Sequence, residues 1–188
     1  MHAYEAIARR TSVRSYRQEP VPRYVIERLI AAAVRAPNHK LTEPWRFVVV
    51  TGEAKRRYAE IRRAHRAKRF ENPESPEAKR AIEKTVKECL ETPAFIFVLC
   101  KVTDDPVRQE EDYASVMMGI QNLMVAATAD GLGTYLRTGG IMSLPEVREL
   151  VGAGDEYRIV GIVSLGYLAA EPEPTRRTTA AEFTRWME

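Results

Sequence analysis

Two guanidinium groups and a hydroxyl on one side of an extended chain would make a seat for an anion, and the sequence offers such a set early, in Arg9-Arg10-Thr11-Ser12-Val13-Arg14-Ser15-Tyr16. In extended backbone alternate residues share a face, so Arg10, Ser12 and Arg14 would point together. A solvated basic turn is the plainer reading, and the octapeptide alone does not choose. A second group of donors lies in Ala36-Pro37-Asn38-His39-Lys40-Leu41-Thr42-Glu43-Pro44-Trp45. Its prolines stiffen a loop, and Asn38, His39 and Lys40 could line the edge of a planar polar ring. The same residues would serve as a helix C-terminal turn with Trp45 packed as core. Arg137-Thr138-Gly139-Gly140 sets a cation beside backbone flexible enough to approach a ligand, and Arg176-Arg177 follow the last apolar run. Surface charge is the alternative for both.

Hydrophobic spacing says which elements carry these groups. Ile26, Leu29, Ile30, Ala33 and Val34 recur at helical spacing over residues 22 to 36, between Pro22 and Pro37. Residues 46 to 51, 94 to 102 and 159 to 167 are short, β-branched and without polar alternation, which predicts strands covered on both faces. Helices are expected over 53 to 69 and 77 to 91, joined by the proline-bearing loop 71 to 76. From Glu110 to Asp130 the chain is apolar nearly all round, so this helix is either the spine of the core or half of a subunit interface. With only 188 residues to surround it, a helix shared with a second subunit is favoured. A short strand is expected over Thr134 to Thr138, then a helix over 143 to 151 capped by Ser143 with Pro145 in its first turn. Beyond Leu168 an extended proline-bearing tail ends in Phe183 and Trp186, which need a docking surface.

Composition narrows the function. A chain of 45% hydrophobic and 29% charged residues with no run of ~20 apolar residues reads as one globular domain over 1–188, cytoplasmic, without a membrane partner. The formal charge of +3 is too mild to demand a polyanion. Arginine outnumbers lysine, which suits planar recognition of phosphate or carboxylate, and which a GC-rich genome would also produce. Cys89 and Cys100 read as small core residues. The three histidines, at positions 2, 39 and 65, lack metal-ligand spacing, so no metal is expected. Gly131-Leu-Gly133 follows a helix and lacks a third glycine, so it is not a dinucleotide turn, and GxxxxGK[ST], GxSxG and HExxH are absent. The basic stretch Arg56 to Arg69 reads as a solvated helix, with an Arg-rich nucleic-acid-binding module as the lesser alternative.

The N-terminal octapeptide, then Arg35-Ala-Pro-Asn-His-Lys40 with Glu43-Pro-Trp45, the apolar helix ending at Asp130-Gly-Leu-Gly133, the run Val160-Gly-Ile-Val-Ser-Leu-Gly166 and a basic tail, in that order, closely resemble the FMN-dependent nitroreductase family over nearly the whole chain. Ala36-Pro-Asn-His-Lys40 is similar to the loop of a compact subgroup. The resemblance implies an α+β sandwich, a central mixed β-sheet flanked by helices, and a homodimer with a helical interface and FMN sites built from both subunits. Arg9, Arg10, Thr11 and Ser12 would then bind the phosphate or ribityl chain, and Arg14 would approach the pyrimidine edge. Arg35, Asn38 and His39 would reach the partner's flavin, Leu136, Arg137 and Thr138 would line the cofactor from the other side, and Arg176 or Arg177 would add a phosphate contact. The implied activity takes hydride from NADH or NADPH and reduces nitroaromatic, quinone or similar electron-poor compounds in a ping-pong cycle. Dehalogenation, desaturation and flavin breakdown are the family's alternatives. No catalytic side chain is needed, because the hydride chemistry belongs to FMN. The segment from 53 to 91 is where the family varies, and it would set substrate choice.

Overall fold

The structure, a computed structural model, describes residues 1–173 and 175–188; of the expected extended tail, Pro174 lies outside the described residues. Four strands, β1 (Trp45–Val50), β2 (Ala94–Lys101), β3 (Leu132–Arg137) and β4 (Tyr157–Tyr167), form one sheet in the order β1-β2-β4-β3. Every neighbouring pair is antiparallel. The sheet expected to be mixed is therefore antiparallel across its strands, and its parallel part is confined to a single bridge between Ser12 and Thr134.

Period-two geometry divides β2 between two cores. Ala94, Ile96, Val98 and Cys100 face α2 (Arg23–Ala33) and α5 (Pro106–Ala129). Phe95, Phe97 and Leu99 face α3 (Gly52–Ala67), α4 (Pro76–Glu91) and α6 (Pro145–Leu150). With helices on both faces, a strand must be largely apolar, and the inner strands β2 and β4 are, Ser164 being the buried polar exception between Arg158 and Tyr167. β1 gives Trp45 and Phe47 to one core and Val48 and Val50 to the other, but it is an edge strand, and Arg46 and Val49 are exposed. Ser143 departs from its expected role as a cap, since it ends a 3-10 turn over Gly140–Ser143 and α6 begins without a side-chain cap.

α5 starts earlier than its apolar run, because Asp105 accepts hydrogen bonds from the amides of Val107 and Arg108 and Pro106 occupies the first turn. Val116, Ile120, Leu123 and Ala127 bury its inner face. A Cβ on Gly119 would stand 3.1 Å from the Ala33 carbonyl oxygen, so this glycine sets how closely α2 and α5 approach. The outer face leaves Val107, Tyr113 and Met118 exposed, alongside Tyr4 and Ile7 of α1 (Ala3–Arg9), which packs on α5. Among the described residues Phe183 and Trp186 find no docking surface, at 79% and 83% exposure. Among the described residues no helix is long and apolar enough to cross a membrane.

Cys89 and Cys100 are buried, and burial pushes both thiols up. Since the thiolate is the reactive form, neither is expected to react with Ellman's reagent at pH 8 in the native protein. Both should titrate after denaturation; a native stoichiometry of one or more would refute their core placement.

Candidate functional site

The N-terminal basic segment is laid along β3. The amide of Val13 donates to the Thr134 carbonyl at 2.8 Å, the Arg17 amide donates to Tyr167 at 2.9 Å, and the buried Tyr16 hydroxyl donates back to the Val13 carbonyl at 2.6 Å. Val13 can lie this close because position 133 is glycine: a Cβ there would meet the Val13 and Leu168 side chains below 3 Å. With Val13 turned inward, Ser12 and Arg14 stand exposed on either side of it, as alternation requires, while Arg10 and Thr11 are half-buried.

The tail returns to the same place. Thr11 Oγ1 and Thr175 Oγ1 are 2.8 Å apart, which brings Arg176 and Arg177 next to the segment, both exposed. Arg9 is held by Glu171 at 2.6 Å and by Glu5 at 3.4 Å, and these carboxylates raise its pKa further, so its charge is already met. Arg10 has no ion-pair partner among the described residues.

Farther along β3, the Arg14 guanidinium lies 4.6 Å over the Tyr135 ring and donates to its hydroxyl at 2.8 Å. Arg137 lies 5.1 Å from the same ring. Its pKa is lowered, first by burial and then by repulsion from Arg62 and Arg14. Leu136 is half-buried, its side chain packed against the α5-side core. Thr138 is exposed at the strand's end, and Gly139 follows at φ +117°, a turn that a residue with a side chain would strain. Four buried polar atoms lack a partner among the described residues, and three belong to this wall or its neighbour: Thr134 Oγ1, Arg137 Nε and Arg66 Nε. Buried orphans are costly, so such a set is a mark of a bound molecule or ordered water.

The second group is elsewhere. His39 Nδ1 pairs with Glu111 Oε2 at 2.8 Å, near the start of α5, and Asn38 accepts from the Glu43 amide at 3.3 Å. Lys40, Leu41 and Glu43 hold left-handed backbone there, an energetic cost concentrated in one loop. Arg35 is exposed just past α2. Thr11 borders the other end of α5, at Thr128 and Gly131. At 1.5 Å per residue, Glu111 and Thr128 are about 25 Å apart along the helix. One chain therefore keeps His39 and its neighbour Asn38 away from Arg10 and Thr11, while Arg35 follows the end of α2 that packs near Gly119, at the middle of α5.

Sequence reasoning missed the inner face of α3. Arg62, expected on a solvated helix, is 8% exposed beneath the sheet's end, while the outward Arg56 and Arg63 pair with Glu53 and Glu60. The signal was the spacing of Tyr58, Arg62 and Arg66, four apart and so on one face. Tyr58 anchors that face between Phe95 and Phe97, each ring centroid 5.1 Å away. A cleft of about 370 Å³ opens beyond it, lined by Arg62, His65, Arg66, Arg137, Thr138 and Gly140. Another cavity, about 510 Å³, lies between α3 and α6, where Glu53, Glu60, Glu146 and Glu149 offset Arg56 and Arg57, and it holds none of the groups on β3 or in the loop after α2. Among the described residues no group of His, Cys, Asp and Glu is placed to hold a metal ion.

Comparison with known proteins gives a consistent set of relatives. A model of the nitroreductase family matches residues 7–167. A candidate NAD(P)H nitroreductase of Bacillus subtilis (strain 168), YfhC, is 32% identical over 175 residues, covering 93% of this chain and 88% of that protein. The crystal structure of a nitroreductase-like family protein from Bacillus cereus superposes with a TM-score of 0.84 at 29% identity, over 100% of this chain and 97% of that one. The FMN and NADPH-dependent nitroreductase NfnB of Sphigopyxis sp. strain HMH shares the fold, with a TM-score of 0.81 at 22% identity over the full length of both chains.

Proposed function

The chain belongs to the nitroreductase family, and from that premise we propose that it is an FMN-dependent oxidoreductase that passes electrons from NADH or NADPH to small electron-poor compounds such as nitroaromatics and quinones. The observation that carries this reading is the convergence of three separate stretches on one wall: the free Arg10 with Thr11 and Ser12, the β3 end from Thr134 to Thr138, and the tail at Thr175.

The residues fit the group. At one end Arg10 has no carboxylate to neutralise it and Arg176 or Arg177 is within reach, which suits a phosphate and its need for charge-assisted hydrogen bonds. At the other end Arg14 and Arg137 flank Tyr135, where a heteroaromatic ring would lie. The buried, unpartnered Arg137 Nε supplies a polar atom awaiting a partner on that side. FMN, when bound, supplies the hydride-accepting ring. Arg14 is a fixed cation for the negative charge that collects at the pyrimidine edge on reduction, which makes the bound cofactor a better oxidant. No side chain has to act as nucleophile or base, and donor and acceptor would use one open face in turn, a ping-pong order.

Asn38 and His39, about 25 Å along α5 from Thr11 in one chain, would complete the site from a second copy, together with Arg35. The exposed apolar residues of α1 and α5 and the undocked Phe183 and Trp186 supply apolar surface for that contact.

The test is a visible absorption spectrum of the purified protein, followed by anaerobic addition of NADH and NADPH separately. The expected result is a flavin spectrum, native or after adding FMN, that bleaches with one donor or both. A colourless protein that does not take up FMN would refute the proposal.

A further inference from the structure

Arg62, Arg66, His65, Arg69 and Arg137 surround the 370 Å³ cleft, and Glu88 is the one carboxylate in its wall. Among the described residues none of these five cationic or potentially cationic residues meets a carboxylate at ion-pair distance, although twelve other ion pairs form. Arg62 is more than nine-tenths buried, with the Tyr58 ring 6.0 Å from its guanidinium carbon and the neutral Cys89 thiol as a hydrogen-bond partner, and Arg66 lies 5.1 Å over Phe70, so neither meets an anion. Arg66 Nε and Arg137 Nε are buried and unpartnered. Burying guanidinium groups side by side costs several kcal/mol unless an anion joins them. A cluster kept for stability alone would be paired.

The phosphate of FMN does not explain the cluster. That group is assigned to Arg10, and with Ser12 paired to Thr134 the chain runs parallel to β3, so Arg10 and Arg137 lie toward opposite ends of the strand. The cleft begins where the ring would end: Arg137 and Thr138 border both, and a narrow recess lined by Arg14, Tyr135, Arg62 and Arg137 joins them. Its volume is in the ordinary range for a small-molecule site.

We propose that this cleft is the substrate pocket and that it selects electron acceptors carrying a carboxylate, with Arg62 and Arg66 gripping the anion while the electron-poor ring lies toward Tyr135. The forked guanidinium matches the two oxygens of a carboxylate, which favours an aromatic acid over its neutral ester. This assignment rests on the flavin reading above for the reaction, though not for the binding of the anion.

The experiment compares 4-nitrobenzoate with methyl 4-nitrobenzoate, which carry the same nitro group, using the FMN-loaded enzyme. The acid-to-ester ratio of kcat/KM is expected to be about ten or more in the wild type and to fall about tenfold in Arg66→Gln and in Arg62→Gln. Because Arg62 is buried and its variant can fail to fold, Arg66→Gln and the wild-type ratio each test the proposal alone. Benzoate and benzamide are titrated calorimetrically into the protein with and without FMN, and benzoate alone should bind. If the protein takes up no FMN, the flavin reading fails while the benzoate titration still reads the cleft. A wild-type ratio near one with no benzoate binding would overturn the proposal. So would an Arg66→Gln effect confined to the KM for NADPH and absent with NADH, which would give the cluster to the donor's phosphate.

Discussion

Arg10→Ala is expected to weaken FMN binding tenfold to a hundredfold. Arg10 caps the end of α1 and is half-buried, with no carboxylate partner among the described residues, so its guanidinium is available to a phosphate. A hydrogen bond to a charged group is worth about 1.5–3 kcal/mol, which corresponds to that range of dissociation constants. Arg9→Ala is the contrast, because Arg9 is already held by Glu5 and Glu171 on the surface. Exposed pairs of that kind contribute little, and its FMN affinity should change by no more than about threefold. Flavin fluorescence quenching at fixed ionic strength measures both. Equal losses in the two variants would mean that the phosphate is not at Arg10.

The second large effect is on stability. Phe97 is fully buried on β2, an inner strand, and its ring meets Tyr58 edge-on, centroids 5.1 Å apart and planes at 80°. Phe97→Ala deletes a ring from a close-packed layer and should cost about 3–5 kcal/mol. Each kcal/mol is worth about 2–4 °C in a chain of this length, so the flavin-free protein should melt roughly 6–20 °C lower by calorimetry. Val49→Ala, on the edge strand and 40% exposed, should move Tm far less. Tyr58 is also the anchor of the α3 face that carries Arg62, so Phe97→Ala should loosen the arginine cleft even where the protein still folds. Benzoate binding weaker than in the wild type at a temperature below the new Tm would show it. A fall of under ~2 °C in Tm would contradict the packing described.

Much of the fold was legible along the chain. β-Branched runs fall on the strands and helical spacing places α2, α4 and the apolar length of α5, because backbone geometry imposes a period that local residues either satisfy or break. The edge position of β1 was not legible, since Trp45–Val50 is as apolar as an inner strand and only sheet order leaves one side unpaired. The antiparallel pairing was equally hidden, because strand direction is set by how the connecting helices cross and not by the strand residues.

The candidate site divides in the same way. By itself the sequence determined which groups are present, in what order, and that they suit an anion joined to a planar ring; side-chain chemistry travels with the residue. Tertiary structure decided which are available. It gave Arg9 to two carboxylates and left Arg10 free, packed Leu136 partly against the core, set His39 far along α5 from Arg10, and drew Arg62 inward beside Arg137 without a carboxylate. The reason is physical: a charge's partner and its exposure depend on surfaces brought together from distant parts of the chain, and no local period records them.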